Sequence, residues 1–125
     1  MTKKYLKLSD MKAYKRAYHL SNYVWDIVSH WPILAQKTVG EQFIRSTDSI
    51  SSNLAEGFGR QTRKDKTKFY IYARASANES LDWNQKAKRR NLLTKEQYDF
   101  ILIELQQLPK EINAHIKLTY TKLSK

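Results

Sequence analysis

Cysteine is absent from the 125 residues of this chain, which excludes disulfides, thiol catalysis and thiolate-held metal sites and makes a reducing compartment unproblematic. Glycine occurs only three times and proline twice. No stretch approaches the ~18 apolar residues of a membrane-spanning helix. The opening MTKKYLKLSDMKAYKR is charged throughout and lacks an apolar core, so it does not read as a secretory signal, and a cytoplasmic location is expected. Negative charge is scarce as well. Twelve Asp and Glu face twenty-three Lys and Arg, for a net charge of +11 and a pI near 9.9. Such an excess points to a polyanionic partner: RNA, DNA or an anionic membrane surface.

What is present is helical periodicity. At this length one domain spanning 1–125 is expected, built from helices near 9–31, 38–59, 64–90 and 94–123. The first stops at Pro32, because the residue before a proline is pushed out of the α region. Its stripe reads Met11, Tyr14, Tyr18, Ser21, Trp25 and Val28, widened by Ala17, Val24 and Trp31. The second opens on a capping box, Thr38 to Glu41, and ends about Gly59. The third starts near Thr62–Asp65 and shows Phe69, Ala73, Ser76, Ser80, Trp83 and Ala87 on one face. The fourth opens with a second box, Thr94 to Gln97, and carries Tyr98, Ile101, Leu105, Leu108, Ile112, Ile116, Thr119 and Leu123. Pro109 lies inside that pattern and predicts a kink or break near Gln106–Pro109. The fold class is all-α, an up-down-up-down four-helix bundle some ~30–40 Å long.

One stretch of helix 2 departs from simple amphipathicity. Arg45, Ser49, Asn53, Glu56 and Arg60 are spaced three or four apart and form a polar line, among the small residues Ser46, Ser52, Ala55, Gly57 and Gly59. A solvated face with a glycine-ended helix would give this spacing. So would a buried or interface seam in which Arg45, Asn53 and Glu56 satisfy one another and partners on helix 3, with Ser76 and Glu79 as candidates. Such a seam would serve register and assembly more than raw stability.

Catalytic chemistry has little to stand on. His19, His30 and His115 fall at no motif spacing, and the first two lie three turns apart, too far for one metal ion. A di-metal bundle needs Glu-x-x-His pairs, yet His115 has Glu111 at minus four and Ile112 at minus three. No phosphate-binding glycine motif is present, since GFGR lacks a preceding strand and the spacing. The expectation is a non-enzyme with no catalytic residues, no metal and no cofactor.

Positive charge is better organised. Arg60, Arg63, Lys64, Lys66 and Lys68 surround the helix 2–3 junction, with Asp65 as the sole acid among them. Lys86, Lys88, Arg89, Arg90 and Lys95 do the same at the helix 3–4 junction. Lys3, Lys4, Lys7, Lys12, Lys15 and Arg16 form a third cluster, expected at the same end of the bundle as the 3–4 junction. Tyr5, Tyr14 and Tyr18 could stack on unpaired bases there, although core packing is the preferred reading of Tyr14 and Tyr18.

The run FIRSTDSISSNLAEGFGR, followed by KFYIYARASANES, resembles the four-helix-bundle family of the 23S rRNA-intervening sequence protein. The matching positions are Arg45, Ser49, Asn53, Leu54, Ala55, Glu56, Gly57, Gly59 and Arg60, then Phe69, Ala73, Arg74, Ser76 and Glu79. Ala75 stands where that family usually has Gly. The resemblance implies a bacterial four-helix bundle assembling as a ring-like homopentamer. It also implies kinship in fold to the basic accessory protein of diversity-generating retroelements, which binds nucleic acid. Together with the charge, it leads to a non-catalytic accessory or scaffold that binds RNA or DNA through phosphates, without base reading. The alternative is a protein–protein adaptor with an acidic partner.

Overall fold

The computed structural model of the protein describes residues 7–122, and within them the chain is helical without a strand. Lys3, Lys4, Tyr5 and Leu123, singled out above, lie outside the described residues. Helix α1 spans Lys12–Val28, after a 3-10 turn at Leu8–Asp10 in which the Lys7 amide donates to Asp10 Oδ2 at 2.9 Å. It buries Ala13, Ala17, Leu20, Ser21, Val24 and Val28. The expected stripe is thereby corrected. Tyr18 and Trp25 are 50% and 56% exposed, so neither is core. The helix turns small residues inward where its neighbour approaches, and its bulkiest aromatics are left outside.

Helix α2 is a composite: Ile33–Ala35, a π-helical segment Gln36–Gly40, then Glu41–Phe58. It starts directly after Pro32, so Thr38 does not cap it. Thr38 Oγ1 instead donates to the Leu34 carbonyl at 2.7 Å, inside a helix already under way. Gly40 is required here, because a Cβ would lie 2.7 Å from Val28 Cγ1 and 3.0 Å from the Ala35 carbonyl.

Helix α3 runs Arg63–Arg89 and is capped as expected, the Asp65 amide donating to Thr62 Oγ1 at 3.1 Å. It closes in a Schellman turn. Asn91 sits at φ 61°, with the Leu92 amide bonded to the Ala87 carbonyl at 2.9 Å and the Asn91 amide to that of Lys88 at 3.1 Å. Its buried face is Tyr70, Ala73, Ala77, Ser80, Asn84 and Ala87; Phe69, Ser76 and Trp83 stand half-buried at its margin.

Helix α4 spans Lys95–Lys122 and opens with the reciprocal capping box. The Gln97 amide donates to Thr94 Oγ1 at 3.0 Å, and the Thr94 amide to Gln97 Oε1 at 2.9 Å. The helix continues unbroken through Pro109, so the break allowed for at that position does not occur. Leu105, Leu108 and Ile112, all fully buried, flank the proline, and their packing outweighs one missing hydrogen bond.

α2 packs most extensively on α3, α3 on α4 and α1 on α2, while α1 and α4 meet least. Phe43, Ile50 and Leu54 of α2 fill the centre with Leu20 of α1 and Ile101 and Leu105 of α4. A polar thread crosses this core. Ser80 Oγ donates to Ser46 Oγ at 2.9 Å between α3 and α2, and buried Asn84 Nδ2 donates to the Tyr98 carbonyl at 3.2 Å.

The placement of the N-terminal cluster is also corrected. Two antiparallel helices separate the chain start from the 2–3 junction, so the chain returns to the end where it began. Lys12 and Arg16 face Glu111 in the second half of α4, and Arg63 stacks on Tyr120 near its end. The 3–4 junction lies at the opposite end, beside the α1–α2 turn, where Trp31 and Leu92 line one depression.

Candidate nucleic-acid interface

The polar line on α2 reaches the surface rather than the core. Arg45 bonds Glu41 at 3.3 Å, Glu56 bonds Arg60 at 2.8 Å, and Asn53 Nδ2 donates to the Ser49 carbonyl at 2.9 Å. On α3, Glu79 accepts from Trp83 Nε1 at 2.9 Å, and Ser76 offers its carbonyl to Ser80 Oγ. Within the protomer, then, Arg45, Asn53 and Glu56 do not satisfy one another or bond Ser76 and Glu79. Their helices spend side-chain bonds locally, because the α2–α3 contact is taken up by Ser46, Ser80 and Ala73. Ser49, Asn53 and Ser76 are half-buried on α2 and α3, and Arg60 lies over the Phe69 ring at 4.6 Å.

At the end holding the 2–3 junction, the predicted cations divide by task. Lys66 is structural: its Nζ donates to the Phe58 carbonyl at 2.7 Å and the Gly57 carbonyl at 3.4 Å, terminating α2. Burial holds its ammonium below the ordinary lysine value. It is therefore removed from the phosphate-facing set. Arg63 lies 4.9 Å over the Tyr120 ring, and Lys68 5.7 Å from that of Phe69. Lys64 is exposed and pairs with no carboxylate of the described residues.

Arg16 also leaves the free set. Its guanidinium grips Glu111 through Nε at 2.8 Å and Nη2 at 2.9 Å, and Glu104 through Nη1 at 2.9 Å. The Glu111 hydrogen bond contributes most to raising its pKa above the ordinary arginine value, against desolvation, with Glu104 adding to it. This tie between α1 and α4 escaped the sequence reading, although Glu104 and Glu111 stand seven apart on one helical face and so could share a partner.

The opposite end is cationic as well. Lys86, Lys88, Arg89 and Lys95 line one surface groove with Tyr98 and Asp99, and Arg90 lines the next depression with Lys37, Gln42 and Trp83. Lys86 pairs with Asp82 and Lys95 with Asp99, both at 2.6 Å, and hydrogen bonding to Asp99 raises the Lys95 pKa. Lys88, Arg89 and Arg90 pair with no carboxylate of the described residues. One hydrogen bond ties the two helices beneath: Tyr98 Oη donates to Gln85 Oε1 at 2.7 Å across α3 and α4. Ammonium groups and guanidinium forks so displayed suit phosphate oxygens.

The histidines do not converge. His19 and His30 are exposed, the latter with Nδ1 2.8 Å from the Asp26 carbonyl, and His115 is half-buried on α4. Among the described residues no three His, Asp or Glu gather into a metal-holding group.

The 23S rRNA-intervening sequence protein family matches over residues 9–114, which takes in both the Arg45–Arg60 line and the Phe69–Glu79 run. The chain belongs to that family. Its fold is also that of a crystal structure from Bacteroides thetaiotaomicron, a protein of unknown function from the S23 ribosomal protein family, with a TM-score of 0.76. The two are 24% identical, over 84% of this chain and 98% of that one. No curated protein matches the chain. Among the described residues no helix is long and apolar enough to cross a membrane.

Proposed function

We propose that the protein is a cytoplasmic, non-catalytic accessory or scaffold that binds RNA or DNA through phosphate contacts. Lys88, Arg89 and Arg90 carry this reading: three adjacent cations, none paired to a carboxylate of the described residues, project from a braced helix junction in a chain of net charge +11. Phosphate contacts of this kind position without reading sequence, and nothing in the groove offers a recognition helix to base edges. The protomers assemble as a homo-oligomer, a pentamer by family resemblance, through the outer faces of α2 and α3. The half-buried Ser49, Asn53 and Ser76 support that surface, since they leave room for close approach. Assembly multiplies each weak basic end into a polyvalent one.

Binding to oligouridylate and to duplex DNA, followed by fluorescence anisotropy across a salt series, tests the reading. The expected plot of log K against log salt falls by about 0.9 per duplex phosphate neutralised, or about 0.7 per single-strand phosphate. Lys88→Glu/Arg89→Glu/Arg90→Glu weakens binding and flattens the slope. Salt-independent affinity, or none for bare polyanions, overturns the reading in favour of an acidic protein partner. Sedimentation equilibrium showing a monomer at micromolar concentration overturns the assembly.

A further inference from the structure

The cations sort by height along the bundle. Arg63, Lys64 and Lys68 open α3 at one pole, and Lys88, Arg89 and Arg90 close it at the other. The 27 residues of α3 separate the poles by about 40 Å. That is several times the Debye length of about 8 Å at physiological salt, so each pole presents its own field. Between them only isolated cations stand: Arg45, paired with Glu41, Arg74, bonded to Asn113, and Lys110. No Lys or Arg occurs between Arg45 and Arg60, between Arg74 and Lys86, or between Lys95 and Lys110. Those same stretches carry Asp48 and Glu79 at mid-height, while Asp82 and Asp99 lie nearer the 3–4 junction, paired with Lys86 and Lys95. A polyanion laid lengthwise would cross this acid-bearing waist. One held at a pole would not.

We propose that the bundle is a cross-bridge: each pole holds a separate nucleic-acid segment, and a single protomer joins two. This rests on the nucleic-acid reading above and adds to it the number and arrangement of the segments. Oligomerisation that keeps protomers side by side would gather like poles on one face, giving two cationic faces with the waist between them.

A capture assay tests the proposal. A biotin-tagged oligouridylate too short to reach from pole to pole is immobilised with the full-length protein, and retention of a fluorophore-tagged copy is read. The wild-type protein is expected to retain the second strand. Lys64→Glu/Lys68→Glu at one pole and Arg89→Glu/Arg90→Glu at the other alter four exposed side chains, so both variants keep the fold by circular dichroism. Each still binds one strand through its remaining pole, and each loses capture on the order of tenfold at equal strand occupancy. The neutral pairs Lys64→Gln/Lys68→Gln and Arg89→Gln/Arg90→Gln follow the same pattern more weakly. Saturable binding by the wild type without capture overturns the cross-bridge and leaves nucleic-acid binding standing. Capture that survives either reversal also overturns it, since like poles of an oligomer then do the joining. Failure to bind any strand overturns both readings.

Discussion

Gly57 and Gly59 sit two residues apart in the same AEGFG run, and alanine should act in opposite directions at the two. A Cβ on Gly57 would fall 2.7 Å from Tyr70 Cε1, 2.8 Å from Cδ1 and 3.1 Å from the Lys66 carbonyl. Tyr70 is 3% exposed and its ring packs where α3 meets α2. Overpacking of this kind costs about 1–3 kcal/mol. Alanine recovers about 1 kcal/mol of helix propensity, leaving Gly57→Ala less stable by about 0–2 kcal/mol. On Gly59 the nearest atoms to a Cβ lie 3.6 and 3.8 Å away, and its φ of −79° suits any residue. Gly59→Ala should therefore gain about 0.4–1 kcal/mol by restricting the unfolded chain. Urea unfolding of both variants reads the pair. A third protein, Tyr70→Val, removes the ring atoms but not the Lys66 carbonyl, and in that background the Gly57→Ala penalty should shrink. If Gly57→Ala is more stable than wild type, the close approach of α3 to α2 is not what Gly57 serves; if its penalty is unchanged without the ring, the Tyr70 ring is not the group that Gly57 makes room for.

Arg16→Ala leaves Glu104 and Glu111 together and only 18% and 11% exposed, and should cost about 2–4 kcal/mol in urea unfolding, against about 0–1 kcal/mol for the exposed pair broken by Arg60→Ala. Burial pulls the His115 pKa below its ordinary 6.5, partly countered by Glu111, so the unfolded chain binds the proton more readily. The stability His115 contributes is full above pH 6.5 and is lost as the pH falls toward its folded-state value; His115→Gln should flatten that part of the stability–pH curve. Asn91→Gly relieves a left-handed φ of 61° and should raise stability by about 0.5–1 kcal/mol in the same assay. A loss there would show that the Asn91 side chain is needed in the turn.

The bundle itself was legible in the chain. Thr62 and the Thr94–Gln97 pair announced two helix starts, and the heptad-like run from Ile101 to Ile112 marked a buried face, because caps and periodicity are local consequences of residue type. The charge clusters were legible for the same reason, being contiguous in sequence.

Which cations are free was not local, and only the tertiary structure decided it. Lys66 caps the end of α2, and Arg16 joins carboxylates 88 and 95 positions away, contacts that exist only once antiparallel helices bring distant turns together. Rotation about a helix axis was hidden for a similar reason. Tyr18 and Trp25 looked inward by spacing, yet α1 buries Ala13 and Ala17, since close packing between helices selects small side chains where backbones approach. Arg45, Asn53 and Glu56 show the same limit from the other side: their spacing drew one line, and the line faces out because Ser46, Thr47 and Ile50 fit the space that α3 and α1 leave. Residue order sets the helices, their ends and the sum of charge; the packing of one helix on another sets which side chains remain to meet a partner.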